Sequence, residues 1–249
     1  MLPLRDNNPT RTTPVLTLAL IAANVLVFFT EPLTGTRVAQ ARFFFCKAAI
    51  PYEVIHRTQL PATLAICPHK NIWVSIVYSM FLHGSFLHIA GNMLFLWVFG
   101  NNIEDRLGKP KFIAFYFLCG LAAVYAQSAV ASIGQTGTLL PFTPSTSPMV
   151  GASGAIAGVL GAYLLLYPRV RVTTLVFYIV ADVPAYLLLG FWFFLQVFSG
   201  VASVGATASS GVAFFAHIGG FVAGIALLAV LRPRPLPPPI YEYELPTGS

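Results

Sequence analysis

Six apolar runs, separated by polar, glycine-rich or proline-rich stretches, organise this chain. The first covers residues 15–30, and a long mixed loop, 31–72, follows it. A semi-apolar stretch at 73–87 leads into the second run, 88–101, and the third covers 112–133. An uncharged loop of Gly, Thr, Pro and Ser then extends to Val150, where Pro141, Pro144 and Pro148 forbid regular structure. The fourth run, 153–167, stops at Pro168-Arg169. Asp182 followed by Pro184 reads as an N-cap with proline in the first turn, which predicts a fifth helix over 182–199. The β-branched stretch 170–180 before it is expected to be an interfacial connector. The sixth run covers 212–231. Runs of this length and apolarity predict membrane-spanning helices. The expected fold is an all-α, six-helix polytopic membrane bundle with one long loop between helices 1 and 2.

Composition agrees. The chain is 57% hydrophobic and 9% charged, where a soluble domain carries roughly 25% charge. We expect one membrane domain at 15–231, a short cytoplasmic segment at 1–14 and a disordered, proline-rich tail at 232–249. The first run ends at Glu31 without a small-residue cleavage site, so a retained anchor is expected rather than a signal peptide. The net charge of +6 would suggest nucleic acid in a soluble protein. Here the basic residues flank apolar runs and set orientation instead, so nucleic-acid binding is not supported. Arg5 and Arg11, then Arg106, Lys109 and Lys111, then Arg169 and Arg171, then Arg232 and Arg234 place both termini in the cytoplasm for six spans. The loop at 31–72, with Arg37, Arg42, Lys47, Arg57 and Lys70, is the exception on the outer side. A prokaryotic plasma membrane is the expected location, since no transit peptide is visible.

Of three cysteines, Cys119 sits inside an apolar run as a packing residue. Cys46 and Cys67 share the long loop with His56 and His69. A disulfide, a metal site and two free thiols all remain open there.

The chemistry concentrates in Gly151-Ala152-Ser153-Gly154, at the start of the fourth run. Gly151 and Gly154 clear both sides of the hydroxyl, and a helix N-terminus directs N–H groups and positive dipole to that point. Such a motif alone is weak, because small residues line many membrane helices for packing. Depth strengthens it. Ser153, His217 and His88 stand 14 residues before Tyr167, Leu231 and Asn102, at the cytoplasmic ends of segments of the same direction, roughly 21 Å along a helix. In a hydrocarbon core about 30 Å thick, one serine and two histidines thus share a level below the outer surface. The fourth run is also too short to reach that surface, so the loop before it must dip inward, where backbone is tolerated only if buried or lining a water cavity.

His88 and Asn92 lie one helical turn apart on one face, and His83 precedes them as a structural histidine near the site. Gly154 with Gly158, and Gly220 with Gly224, form smooth stripes on which the fourth and sixth helices can pack closely, bringing Ser153 to His217. His217 is then the general base for Ser153. No acidic residue is placed to orient it, so a dyad is expected. The Asn92 amide, the His88 ring and backbone N–H groups at Ser153, with Gly151 giving access, are the oxyanion donors. The mechanism requires no metal or organic cofactor. A proton-coupled transporter with Asp182 as carrier is a rival, but internal repeats are missing. A non-proteolytic protein that binds and escorts membrane helices is the alternative.

These residues resemble the rhomboid family of intramembrane serine proteases over 15–231. The resemblance rests on His83-x-x-x-x-His88-x-x-x-Asn92, Glu104-Asp-Arg-Leu-Gly108, Gly151-x-Ser153-Gly154 and Ala216-His-Ile-Gly-Gly-Phe-Val-Ala-Gly224, in that order. It implies a six-helix core with Ser153 as nucleophile, His217 as partner, and His88 and Asn92 around the oxyanion. It implies single transmembrane helices as substrates in the lipid bilayer, cut near their outer end, with the 134–150 loop and helix 5 moving to admit them. Oligomeric state is not implied. Two departures stand out. Ala157 replaces a tyrosine that some members stack under the histidine, so His217 needs other support. The Trp-Arg pair of many members is missing from the long loop, although Trp73 is present.

Overall fold

The computed structural model describes residues 1–32, 34–61, 67, 70–133, 139–140, 143–204 and 212–235. His69, Pro141 and the tail beyond residue 235 lie outside them. Nine helices occur among the described residues: α1 Val15–Phe28, α2 Arg37–Lys47, α3 Pro51–His56, α4 Ile72–Ser79, α5 Phe86–Leu107, α6 Lys109–Ala131, α7 Ser153–Leu166, α8 Ala185–Ser203 and α9 Phe214–Leu231. Three of them, α6, α8 and α9, are long and apolar enough to cross a membrane by length and composition. α1 and α7 are apolar but have 14 residues each. α5 has 22 residues and ends in the buried Glu104, Asp105 and Arg106.

α7 occupies the centre, with residues 154–163 all buried. Its sequence is apolar or small all round, which suits a helix enclosed by others. Glycines make the closest approaches. A Cβ on Gly220 would strike the Gly154 carbonyl, and one on Gly224 would strike the Gly158 carbonyl. Both positions advance by four residues together, so α7 and α9 run parallel at near backbone contact.

The expected all-α class is corrected by a three-stranded antiparallel sheet, β1 Leu2–Asp6, β2 Arg171–Val176 and β3 Ile179–Pro184, in the order β1-β2-β3. The supposed connector is a hairpin. Its alternating β-branched residues suit a pleated, half-buried surface, and Val172 and Thr174 are buried on one face. The predicted start of helix 5 is corrected with it. Asp182 pairs with Thr173 across the ladder and accepts a hydrogen bond from the Thr173 hydroxyl at 2.7 Å. The ladder keeps the chain extended through Pro184, so α8 starts at Ala185 and Asp182 caps nothing.

The Glu104–Gly108 stretch joins both ends of the described chain to the bundle. The Glu104 carboxylate accepts from the Leu16 and Thr17 N–H groups, at 3.0 and 2.7 Å, and from the Thr17 hydroxyl at 2.8 Å. It thereby caps α1, whose N-cap Pro14 supplies no side-chain acceptor. Asp105 accepts from Thr12 at 2.8 Å, and the Arg106 Nε–H donates to the Arg234 carbonyl at 2.8 Å. Asp6 of β1 accepts from the Tyr163 hydroxyl at 2.6 Å and from Asn102 at 2.8 Å; burial raises its pKa, against those hydrogen bonds.

The described part of the long loop is folded. α2 and α3 lie within it, and a Cys46–Cys67 disulfide resolves the alternatives left open for those residues. A buried Lys70–Glu53 pair at 2.7 Å lies in the same region, where burial lowers the Lys70 pKa against the pull of Glu53.

Candidate active site

Ser153 is the first residue of α7. The first N–H groups of a helix have no intrahelical partner, so Ser153 joins a hydroxyl to free donors. Gly151 precedes it with φ +123°, a conformation open to glycine and strained for other residues. A Cβ there would also lie 2.9 Å from the His88 ring and 3.5 Å from Ser153 Oγ. Glycine is therefore needed twice, for the turn and for the space. The Gly151 N–H is committed to the Ser79 carbonyl at 2.9 Å, and the Met149 N–H to the Ala49 carbonyl at 2.7 Å. These bonds seat the end of the preceding loop against the segments around α4.

His217 lies in the first turn of α9. Its Nε2 is 2.8 Å from Ser153 Oγ. Two glycine contacts set that distance: with the α7 and α9 backbones at the Gly154–Gly220 and Gly158–Gly224 levels, the residues ahead of them face each other. Gly154 is packed on a second side by Ala123 of α6.

His88 and Asn92 stand on the first turns of α5, and both line the cavity that holds Ser153 and His217. Its volume is about 930 Å³, and Ser147, Pro148 and Val150 of the uncharged loop contribute to its wall. His83 is buried behind Asn92. Its Nδ1–H donates to the Phe81 carbonyl at 3.2 Å, leaving Nε2 to accept from the Asn92 amide at 2.9 Å. One Asn92 N–H is thereby used to orient the side chain, and the amide has a second to offer. The His83 N–H itself donates to Glu31 Oε1 at 2.8 Å.

Two residues of α8 at this site escape the sequence reading. Gln196 Oε1 is 2.7 Å from His217 Nδ1, and the Trp192 ring lies 5.8 Å from the imidazole, tilted by 40°. They are one turn apart and share a face. A signal existed for Gln196, since its amide is the one amide or charged side chain between Ala185 and Ser203; a polar group isolated in an apolar helix seeks a partner. Ala157, one turn after Ser153, is buried and offers no ring.

A rhomboid-domain family model matches residues 70–234. The chain is similar to Rhomboid protein 1, mitochondrial, of Saccharomyces cerevisiae, with 30% identity over 61% of this chain and 40% of that protein. It is similar to the human presenilin-associated rhomboid-like protein, mitochondrial, with 31% identity over 61% of this chain and 33% of that protein. It is also similar to the rhomboid protease GluP of Bacillus subtilis, with 34% identity over 37% of this chain and 15% of that protein. The matched stretch thus spans less than half of each relative. Two of these names are mitochondrial, which runs against the expectation of a prokaryotic plasma membrane. That expectation is set aside. The match across 70–234, two thirds of the chain, places this protein in the rhomboid family of integral membrane proteins.

Proposed function

We propose that this chain is an intramembrane serine endopeptidase acting through Ser153 and His217. The observation that carries the reading is the 2.8 Å approach of His217 Nε2 to Ser153 Oγ, inside a cavity walled by apolar helices. His217 takes the hydroxyl proton as Oγ attacks the scissile carbonyl carbon, and passes it to the departing amine as the C–N bond breaks. Water, activated by the same imidazole, then cleaves the acyl-enzyme ester and regenerates the hydroxyl. The oxyanion is stabilised by the Asn92 amide, the His88 ring and the N–H groups at the start of α7. His83 holds Asn92 in place, and Gly151 keeps the approach to the hydroxyl open.

Substrates are transmembrane helices, entered from the bilayer and cut near the end level with Ser153. Six spans, with α1, α5 and α7 added to the three long helices, place the N-termini of α5, α7 and α9 on one side of the membrane. The basic residues assign the opposite side to both termini. The disulfide in the long loop favours an oxidising compartment on the active-site side. Asp182 is exposed in β3, so the transporter reading loses its carrier.

The test uses purified protein in detergent with a model transmembrane substrate and a fluorophosphonate probe. Ser153→Ala and His217→Ala are each expected to lose cleavage by at least about 100-fold, the lower range for a positioned base, and to lose labelling. Cleavage surviving Ser153→Ala overturns the mechanism. Wild-type protein that retains substrate helices without cutting them points to the escort function.

A further inference from the structure

Gln196 stands where a serine hydrolase places the group that orients its histidine. The amide oxygen of glutamine accepts and cannot donate. At 2.7 Å from His217 Nδ1, it requires the proton on that nitrogen. A neutral imidazole has a single N–H, so Nε2 then carries the lone pair. Nε2 is the atom 2.8 Å from Ser153 Oγ, and the hydroxyl donates to it. One hydrogen bond from α8 therefore selects the tautomer able to accept the serine proton. The reversed amide would donate to Nδ1, put the proton on Nε2, and leave His217 unable to act as base.

We infer that Gln196 is the positioning residue for His217, making the site a Ser-His-Gln relay assembled from α7, α9 and α8; the inference rests on the protease reading. The local packing fits that role. Trp192, one turn earlier on the same face, abuts the imidazole, and Phe193 stacks on Phe221 at 4.2 Å. Gly200, one turn later, lets Phe214, Phe215 and Ile218 of α9 approach within 3.3 to 3.5 Å of where its Cβ would be. The α8 face that carries Gln196 is thereby held against α9 above and below the hydrogen bond. A neutral amide also suits this depth better than a carboxylate, whose charge is costly to desolvate. It fixes geometry without adding charge to the imidazolium that forms during proton transfer.

Two measurements test this, one of which does not need catalysis. In protein labelled with ¹⁵N-histidine, the His217 signals, assigned by comparison with His217→Ala, are expected to show the Nδ1–H tautomer. Gln196→Leu is expected to lose that preference, whether or not the protein cuts the chosen substrate. An Nε2–H tautomer in wild type, or an unchanged signal in Gln196→Leu, overturns the role. On a cleaved substrate, Gln196→Leu is expected to lower kcat on the order of 10–100-fold, less than loss of the base itself, with KM within twofold. Gln196→Glu keeps the acceptor and is expected to recover most of the rate. A carboxylate favours the imidazolium, so this variant moves the acid limb of the pH profile upward. His88 on α5 is the other titratable group lining the cavity with His217, and from α7 the Ser153 hydroxyl meets the imidazole. Gln196→Leu within twofold of wild-type kcat, or Gln196→Glu no faster than Gln196→Leu, refutes the assignment. Inactive wild-type protein with the expected tautomer contradicts the protease reading and leaves the positioning contact standing.

Discussion

Glu31 follows α1, buried, with one carboxylate oxygen accepting from the His83 N–H and the other unpaired. Burial pushes its pKa up to about 7, against the opposing pull of that hydrogen bond. An acid whose pKa is raised on folding binds more protons folded than unfolded between the two values. Its contribution to stability is therefore complete below about pH 4.5 and is lost as the pH rises through about 7. Glu31→Gln keeps the acceptor and removes the titration, so its thermal midpoint is expected to fall less than that of wild type between pH 5 and 8. Parallel melting curves would dismiss this account. Residues differed in how legible they were. Ser153, His217, His88 and Asn92 were named from helix-end counting and spacing, because depth along a helix is a property of one chain segment. Gln196 and Glu31 were not, because each matters through a partner on another segment. Asp182 is no cap, because Asp-x-Pro signals a helix start only when the residues before it are free of a ladder.

The α7–α9 contact sets the distance between Ser153 and His217, and its glycines have no room to give. Gly224→Val forces side-chain atoms into the Gly158 carbonyl. Overpacking of this kind costs about 1–3 kcal/mol or more, and activity is expected to fall further than stability because Ser153 and His217 separate. Gly190→Ala supplies the control, since nothing lies within 4 Å of the added methyl and alanine is the better helix former by about 0.5–1 kcal/mol. It should match or exceed wild-type stability with activity intact. Equal losses in both variants would remove the glycine seam from the explanation. The paired stripes were visible as four-residue spacing. The β1–β2 pairing is hidden, because β1 lies at the N-terminus while β2 follows α7 and no window along the chain contains both partners; the β2–β3 hairpin is local, but its β-branched run reads equally as a connector.

The long loop between α1 and α4 is secured by a disulfide closing a separation of 21 residues. In the chain-entropy account a loop of that size is stabilised by about 3 kcal/mol. Cys46→Ser, or reduction of the wild type, is expected to lower the thermal midpoint, while Cys119→Ser leaves the loop's response to reductant unchanged. A midpoint indifferent to reductant would argue that the bridge does not constrain the loop. At the opposite end, Glu104 caps α1 and Arg106 holds the segment after α9, so α5 ties the first and last helices to one point. Glu104→Gln weakens two charge-assisted bonds to N–H groups of α1, and about 1–2 kcal/mol of stability is expected to go with it, read as a lower thermal midpoint.

The amino-acid sequence by itself determined a helical membrane protein and picked out a serine and two histidines at matching distances from the ends of apolar runs, because apolarity, helix rise and small-residue spacing are properties of single segments. Tertiary structure alone decided which group meets His217 Nδ1, which carboxylate caps α1, and that residues 2–6 pair with 171–176 as strands. Each of those depends on two distant stretches meeting, and hydrogen-bond partners are chosen by proximity in space rather than by position along the chain.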